Sequence, residues 1–343
     1  MGETPAPEIS IVVANWNGEG FLRTCLASLW ESATAAGRAF EIVVVDDASE
    51  DNSVSLIRGE FPRVRLLANE RNLGYARTCD RGAQAAQGRL LLMVNNDVEV
   101  PADFVSRLTA PFSPGASAAP EGPARTRPLF AVSAKTVDWA DGSPNHLCMT
   151  AAWRRGGIGK EWADPAEPCE ATYAQGGAAV YDRDLFLRLG GFDPLFSPGY
   201  WEDYDLSYRA ARAGWRVLYE PRAIARHRGK GSLRPLLGEA RLRQLDERNR
   251  LWFNWLNLDP SLLLCRHLLA IPWICARDLL AGNGITGLAG FFRAAAGVGR
   301  VLRARARRRL SDPPAARSHR ELLTLYDSML HGSQETSPGK QPS

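Results

Sequence analysis

Apolar residues run in short continuous blocks through the first hundred positions, separated by mixed stretches of helical period. Residues 9–14, 41–46, 64–68 and 89–94 are aliphatic and predict four strands. Between the first two, Phe21, Leu22, Cys25, Leu26, Leu29 and Trp30 fall on one helical stripe. Residues 51–58 and 74–87 predict two further helices, the second closed by Gly88. Continuous apolar strands alternating with helices imply an α/β class with a mostly parallel, Rossmann-like sheet buried on both faces. Ligands of such sheets bind beyond the carboxyl ends of the strands.

Downstream the pattern is less regular. Residues 111–128 hold five prolines with Gly and Ser and read as an irregular surface loop. Residues 129–134 predict another strand, and 129–175 otherwise carry no clear period. Helices are expected over 182–189 and 203–213, each stopped by glycine, and a strand over 215–219. No internal repeat is visible.

Polar clusters follow three of the four early strands: Asn15-Trp16-Asn17-Gly18, Asp46-Asp47-Ala48-Ser49 and Asn95-Asn96-Asp97-Val98-Glu99. One such cluster is ordinary turn chemistry. Three at one sheet edge suggest a polar ligand or a metal. Asp97 is the best candidate to hold a hard divalent cation, which neutralises a diphosphate. A fourth cluster, Trp201-Glu202-Asp203-Tyr204-Asp205, opens a helix, where acids also suit the helix dipole. One of its carboxylates could serve as a general base, with the Trp201 face against a sugar ring. His227 lies in a basic, glycine-containing stretch and could complete a metal shell, with Arg226, Arg228 and Lys230 near phosphate.

The net charge of +4 is too small to imply nucleic acid, and no nucleic-acid partner is expected. There is no G-x-x-x-x-G-K-[ST] sequence and no G-x-G-x-x-G after the first strand, which argues against a P-loop enzyme and a nicotinamide enzyme. Six cysteines without a C-x-x-C pair are expected to be reduced thiols. With no apolar leader at the start, a cytoplasmic location is expected.

At these residues the sequence resembles glycosyltransferase family 2, with its GT-A fold, and within it the rhamnosyltransferase-like bacterial branch. The resemblance rests on Ile11-Val12-Val13-Ala14-Asn15-Trp16-Asn17; Val44-Val45-Asp46-Asp47-Ala48-Ser49; Asn72-Leu73-Gly74-Tyr75-Ala76 leading to Asn95-Asn96-Asp97; and Gly190-Gly191-Phe192-Asp193 leading to Trp201-Glu202-Asp203-Tyr204-Asp205. The ordered set spans residues 8 to about 235.

The resemblance implies an inverting transferase that moves a sugar from a nucleotide-diphosphate sugar to an acceptor hydroxyl, with Mg2+ or Mn2+ as cofactor. Asn15, Asn17, Asp46, Asn72, Gly74, Asn95 and Asn96 would line the nucleotide-sugar pocket, with Asp47 supporting Asp46. Gly176 and Gly177 would face the donor sugar. Asp97 and His227 would hold the metal; Asn95 replaces the first acid of the family's D-x-D motif. Asp203 would be the base, Glu202 would orient it or bind acceptor, and Trp201 and Asp205 would bind acceptor. The acceptor would be a saccharide or lipid-linked saccharide of a bacterial envelope pathway.

Two rivals are a sugar-nucleotide nucleotidyltransferase and a non-catalytic nucleotide-sugar-binding module. The first is expected to carry a cationic glycine loop after strand one, and the second to have lost Asp97 or Asp203. Here the loop has no cation and both acids are present.

The expected organisation is a catalytic domain over 1–245 (nucleotide half about 8–100, acceptor half about 129–235), a helical region over 246–330 and a disordered tail over 331–343. Residues 262–280 are apolar but are interrupted by Arg266, His267, Pro272 and Arg277, a poor membrane span. Phe291, Phe292 and Arg293, then Arg300, Arg303, Arg305, Arg307, Arg308 and Arg309, suit a helix lying on an anionic leaflet or a basic helix packed on the catalytic domain. The resemblance favours the leaflet, making 257–310 a peripheral contact on the inner face of the cytoplasmic membrane.

Overall fold

The computed structural model describes residues 6–115, 126–154, 156–228, 233–280 and 284–323. The expected tail over 331–343, Lys230 and most of the proline-rich loop lie outside these residues. The N-terminal half alternates as its apolar blocks predict: β1 Ile9–Asn15, α1 Glu19–Ala35, β2 Phe40–Asp46, α2 Ser53–Glu60, β3 Arg65–Ala68, α3 Tyr75–Ala85 and β4 Leu90–Asn95. These four strands pair in parallel in the order β3-β2-β1-β4. Register places Asn15 opposite Asp46, and Asn95 opposite Ala14, so the polar clusters end at one edge.

The sheet continues through β5 Val98–Glu99 and, past α4 Phe104–Thr109, through β6 Leu129–Asp138 and the short β7 Pro144–His146. A separate antiparallel hairpin, β8 Cys148–Arg154 with β9 Gly157–Ala163, follows. Then come β10 Cys169–Ala171, β11 Ala178–Asp182, α5 Arg183–Arg188, α6 Glu202–Arg212 and β12 Arg216–His227. β11 enters between β4 and β6 antiparallel to both, and β12 lies parallel to β6. Apolar strand faces pack on both sides, with α1 and α4 on one and α3, α5 and α6 on the other.

β12 is longer than the strand expected over 215–219. It passes an irregularity between Glu220 and Ile224, around Pro221, and then pairs its end with β5, His227 against Val98. His227 is therefore at a strand end rather than in a basic loop.

The C-terminal region is helical: α7 Leu233–Asn257, kinked at Gly238, then α8 Pro260–Leu262, a π-helical turn Leu263–Leu268, α9 Leu269–Leu280, α10 Gly284–Ala296 and α11 Val298–Ser311. Trp252, Phe253, Val301 and Ala304 share one core with Tyr204 and Tyr208 of α6. No helix among the described residues is long and apolar enough to cross a membrane.

α11 packs part of the arginine run against the rest of the fold. Its Val301 and Ala304 face is buried, and Arg305 and Arg308 share that side. Arg305 donates to the carbonyls of Trp255, Leu256 and Leu258 at the end of α7. Arg308 pairs with Asp205 at 2.8 Å and Asp193 at 2.7 Å. Arg303, Arg307 and Arg309 stay exposed, alongside Val298, Leu302 and Leu310.

Candidate active site

The strand ends build the first wall. Asn15 Nδ2 donates to Asp46 Oδ2 (2.9 Å), and Asn96 Nδ2 donates to Asn15 Oδ1 (2.7 Å). Ser49, unforeseen in the sequence, donates its hydroxyl to the same Asp46 oxygen at 2.6 Å. Gly18 is required beneath this network, because a Cβ there would collide with both Asn15 and Asn96. Asn17 adopts φ 51° and accepts from Glu50 N (2.8 Å), which closes the facing loop.

Asp47 does not support Asp46, as expected from sequence, but the neighbouring loop. It accepts from Asn69 Nδ2 (2.6 Å) and Leu73 N (2.8 Å) on Oδ1, and from Gly74 N (2.9 Å) on Oδ2. Asn72 Oδ1 also accepts from Gly74 N (3.1 Å). These bonds fix the turn that starts α3.

The second wall joins β4 to β12. His227 Nε2 lies 3.0 Å from Asp97 Oδ1, and both side chains are largely buried. Asn145 Nδ2 lies 3.3 Å from His227 Nδ1, so the ring is approached on both nitrogens. Arg228 follows, its guanidinium 4.1 Å from the Trp139 ring centroid, and Trp139 Nε1 donates to Glu99 (2.6 Å).

The third wall is the start of α6. Tyr200 and Trp201 both adopt left-handed backbone, φ 71° and 79°, which costs of order 1–3 kcal/mol each and turns the chain abruptly into the acid pair. Asp203 Oδ2 accepts from Tyr173 Oη (2.8 Å) and Gly176 N (3.0 Å), and Oδ1 accepts from Tyr204 N (2.8 Å). Glu202 is buried, and Oε2 has no hydrogen-bond partner among the described residues. Burial, and then the charge of Asp203, push Glu202 up to about 8, so it carries a proton at neutral pH.

The walls converge. Asn95 N donates to Gly177 O (3.0 Å), and the adjoining Gly176 holds Asp203. A Cβ on Gly177 would lie 2.5 Å from Asn95, so glycine permits the approach. His146 spans the remaining gap: its ring centroid is 6.4 Å from that of His227, and it feels the charge of Asp203. Burial, then His227, push His146 down to about 4, so it is neutral at pH 7. Asn95 Oδ1 and His146 Nδ1 are also buried without partners among the described residues. Orphaned polar atoms on all sides suit a polar ligand.

Two expected acceptor contacts are overturned. Asp205 is fully buried on the opposite side of α6, bound to Arg209, Arg308 and Asn257. Trp201 is also sealed: its ring packs on Tyr204 and Phe253, and its Nε1 donates to Asp246 (2.8 Å). Both are structural. Sequence reasoning missed Tyr173, His146 and Lys160, whose Nζ lies 4.2 Å from the Trp201 ring centroid. Tyr173 stands just before Gly176-Gly177, the one signal that could have found it.

Asp97 and His227 give one carboxylate oxygen and one imidazole nitrogen within reach of a common point, a donor set that suits Mn2+ and tolerates Mg2+. No group of three His, Cys, Asp or Glu poised for a metal occurs among the described residues. A cation here would draw its other ligands from diphosphate and water.

Residues 10–123 match the model for glycosyl transferase family 2. Over these residues the chain is similar to that family. Its sheet is that of a GT-A fold, like those of GalNAc-T7 with UDP, GalNAc and Mn2+ (TM-score 0.55, 19% identity, covering 75% of this chain and 49% of that one) and the Pyrobaculum calidifontis mannosyltransferase PcManGT with GDP-Man and Mn2+ (TM-score 0.50, 17% identity, 98% and 89%). Among curated proteins, human polypeptide N-acetylgalactosaminyltransferase 16 is 26% identical over 223 residues, 64% of this chain and 39% of that protein. N-acetylglucosaminyl-diphospho-decaprenol L-rhamnosyltransferase of Mycobacterium tuberculosis is 26% identical over 236 residues, 64% of this chain and 75% of that protein. The chain spans about two-fifths of the N-acetylgalactosaminyltransferase relatives' length.

Proposed function

We propose that this chain is an inverting, divalent-metal-dependent glycosyltransferase, using a nucleotide-diphosphate sugar and an acceptor hydroxyl in saccharide assembly. What supports this reading is the set of contacts that connects the Asp97–His227 pair to the Asp203 side by way of His146 and of Asn95 with Gly176-Gly177. Asn15, Asn17, Asp46, Asn72, Gly74, Asn95 and Asn96 line the nucleotide side in this reading.

Asp203 is the base. Among the described residues Oδ1 accepts only the Tyr204 N–H, which leaves it a lone pair to spare for the acceptor proton, while Tyr173 and Gly176 orient the carboxylate through Oδ2. The acceptor oxygen bonds the anomeric carbon as its proton passes to Asp203, and the bond to the diphosphate oxygen breaks on the opposite face. Neutral Glu202 beside Asp203 leaves a single negative charge on the acid pair. Asp97 and His227 would hold a divalent cation, which would supply charge neutralisation for the diphosphate.

The mycobacterial relative acts on a diphosphate-lipid-linked saccharide, and the same acceptor class is proposed here, with rhamnosyl transfer as the donor reading to test first. The exposed Val298, Leu302 and Leu310 beside Arg303, Arg307 and Arg309 support peripheral contact with an anionic bilayer. A proton NMR screen of nucleotide sugars against saccharide acceptors tests the function. The expected product has the inverted anomeric configuration and fails to form in chelator. A retained configuration, or full turnover in chelator, contradicts it.

A further inference from the structure

Two thiols meet where β8 and β10 begin. Cys148 opens β8 and Cys169 opens β10, and their sulfurs lie 3.5 Å apart although the residues stand 21 positions apart in the chain. Cys148 is buried in the core on which the half-buried Cys169 packs. The backbone ties the same two segments together: Thr172, just after β10, donates from both N and Oγ1 to Met149 O (3.2 Å each).

The other described thiols are placed differently. Cys25 is buried and donates to Asn95 O at 3.5 Å, Cys79 is buried beside Tyr75, and Cys265 is exposed. Cys148 and Cys169 form the one sulfur–sulfur contact among the described residues.

Their surroundings make the two sulfurs unequal. The hydrogen bond from Cys148 pulls the Cys169 thiol below its ordinary value, against burial and the charge of Glu170. The same bond, and then burial, pushes Cys148 up. Cys169 is therefore the readier thiolate, and it is also the more exposed of the two. A third group faces the pair. Antiparallel pairing sets Tyr219 of β12 directly opposite Cys169, and the Tyr219 hydroxyl feels the charge of both thiols. That hydroxyl is buried without a hydrogen-bond partner among the described residues. A buried donor without a partner, beside a thiolate, suits an oxygen placed on that sulfur.

The geometry points to a reversible oxidation site: on reaction with a peroxide, Cys169 and Cys148 join in an intramolecular disulfide that locks β8 to β10. The Cys169 thiolate attacks one peroxide oxygen; an S–O bond forms, the O–O bond breaks and hydroxide leaves. Cys148 then attacks the sulfur of the Cys169 sulfenic acid; the S–S bond forms, the S–O bond breaks and a second hydroxide leaves. The two thiol protons turn both hydroxides into water, so the thiols lose two electrons and the peroxide gains them. Tyr219 donates to the oxygen of the sulfenic acid in between. A thiol reductant reverses the step by exchange.

The lock adjoins the support of Asp203. β10 runs on into Tyr173 and Gly176, both bonded to Asp203 Oδ2. The closed loop contains the β8–β9 hairpin and with it Lys160. The site needs neither metal nor sugar donor, so it stands apart from the transferase reading.

The test is oxidation of the full folded chain with hydrogen peroxide, alkylation with N-ethylmaleimide in guanidinium, and peptide mapping by mass spectrometry without reductant. A peptide pair joined through Cys148 and Cys169 is expected, and dithiothreitol is expected to release it. The oxidised protein is expected to melt several degrees higher and to return on reduction, because the bridge restricts the unfolded chain. Cys148→Ser is expected to leave Cys169 as a sulfenic acid that dimedone labels, whereas Cys169→Ser leaves Cys148 unlabelled. Oxidation of the exposed Cys265 with Cys148 and Cys169 still alkylated overturns the proposal. So does a joined peptide that forms only after unfolding in urea. A bridge that leaves the melting temperature unchanged overturns the lock, and dimedone on Cys148 in Cys169→Ser overturns the order of attack.

Discussion

His227 Nε2 lies 3.0 Å from Asp97 Oδ1, although one ends β12 and the other follows β4. The short β5 makes this possible, because its pairing with the end of β12 sets His227 opposite Val98. Removing the ring takes away one of two protein donors. His227→Ala is expected to weaken Mn2+-dependent nucleoside diphosphate binding by at least about tenfold, with metal-free binding little changed. Calorimetric titration with and without Mn2+ checks this; equal loss in both conditions would point to a packing role.

Glu202 gives a pH-dependent stability. Its ordinary value is 4.5, and in the fold it is pushed up to about 8 by burial and by Asp203. A carboxyl raised on folding contributes stability that is complete below about pH 4.5 and is lost as pH rises through about 8. The loss is at most roughly 1.4 kcal/mol per pH unit across that window. Glu202→Gln is expected to flatten this decline and to be the more stable protein at pH 8. Urea denaturation at pH 5 and pH 8 measures it; parallel changes in both proteins would show that Glu202 is ionised in the fold.

The Asp205–Arg308 pair locks α11 to α6. Both side chains are largely buried, and Asp205 is held below its usual range by Arg308 and Arg209 against the cost of burial. Arg308→Ala leaves a buried carboxylate short of a partner, and is expected to cost about 3–5 kcal/mol. Arg309→Ala, one position on and exposed, is expected to cost under about 0.5 kcal/mol. Chemical denaturation of the two variants distinguishes the internal arginine from its surface neighbour.

The N-terminal half of the fold was legible because its strands are continuous apolar runs and its helices carry clear stripes. Asn15, Asp46 and Asp97 stand where those strands stop. The stretch from 129 to 227 was harder to read. β12 continues through Pro221, which breaks the pattern and disguised His227 as a loop residue. The β8–β9 hairpin lies within a stretch without a helical or strand-alternating signature, so Lys160 and the nearby His146 gave no sign of their place beside Trp201 and His227. Asp205 looks like a companion of Asp203 in sequence. Helical geometry turns it away, toward Arg209 one turn on and Arg308 over a hundred positions downstream, the second of which no local pattern could reveal.

The central claim is that Asp97 secures the leaving diphosphate while Asp203 accepts the acceptor proton. The most direct measurement compares wild type, Asp97→Asn and Asp203→Asn for Mn2+-dependent nucleotide-sugar binding by calorimetry and for turnover in the same samples. The expected result is that Asp97→Asn loses the metal-dependent binding. Asp203→Asn is expected to bind like the wild type, while its turnover falls by about two to four orders of magnitude. Loss of donor binding in Asp203→Asn, or metal-dependent binding retained in Asp97→Asn, would contradict this division of labour.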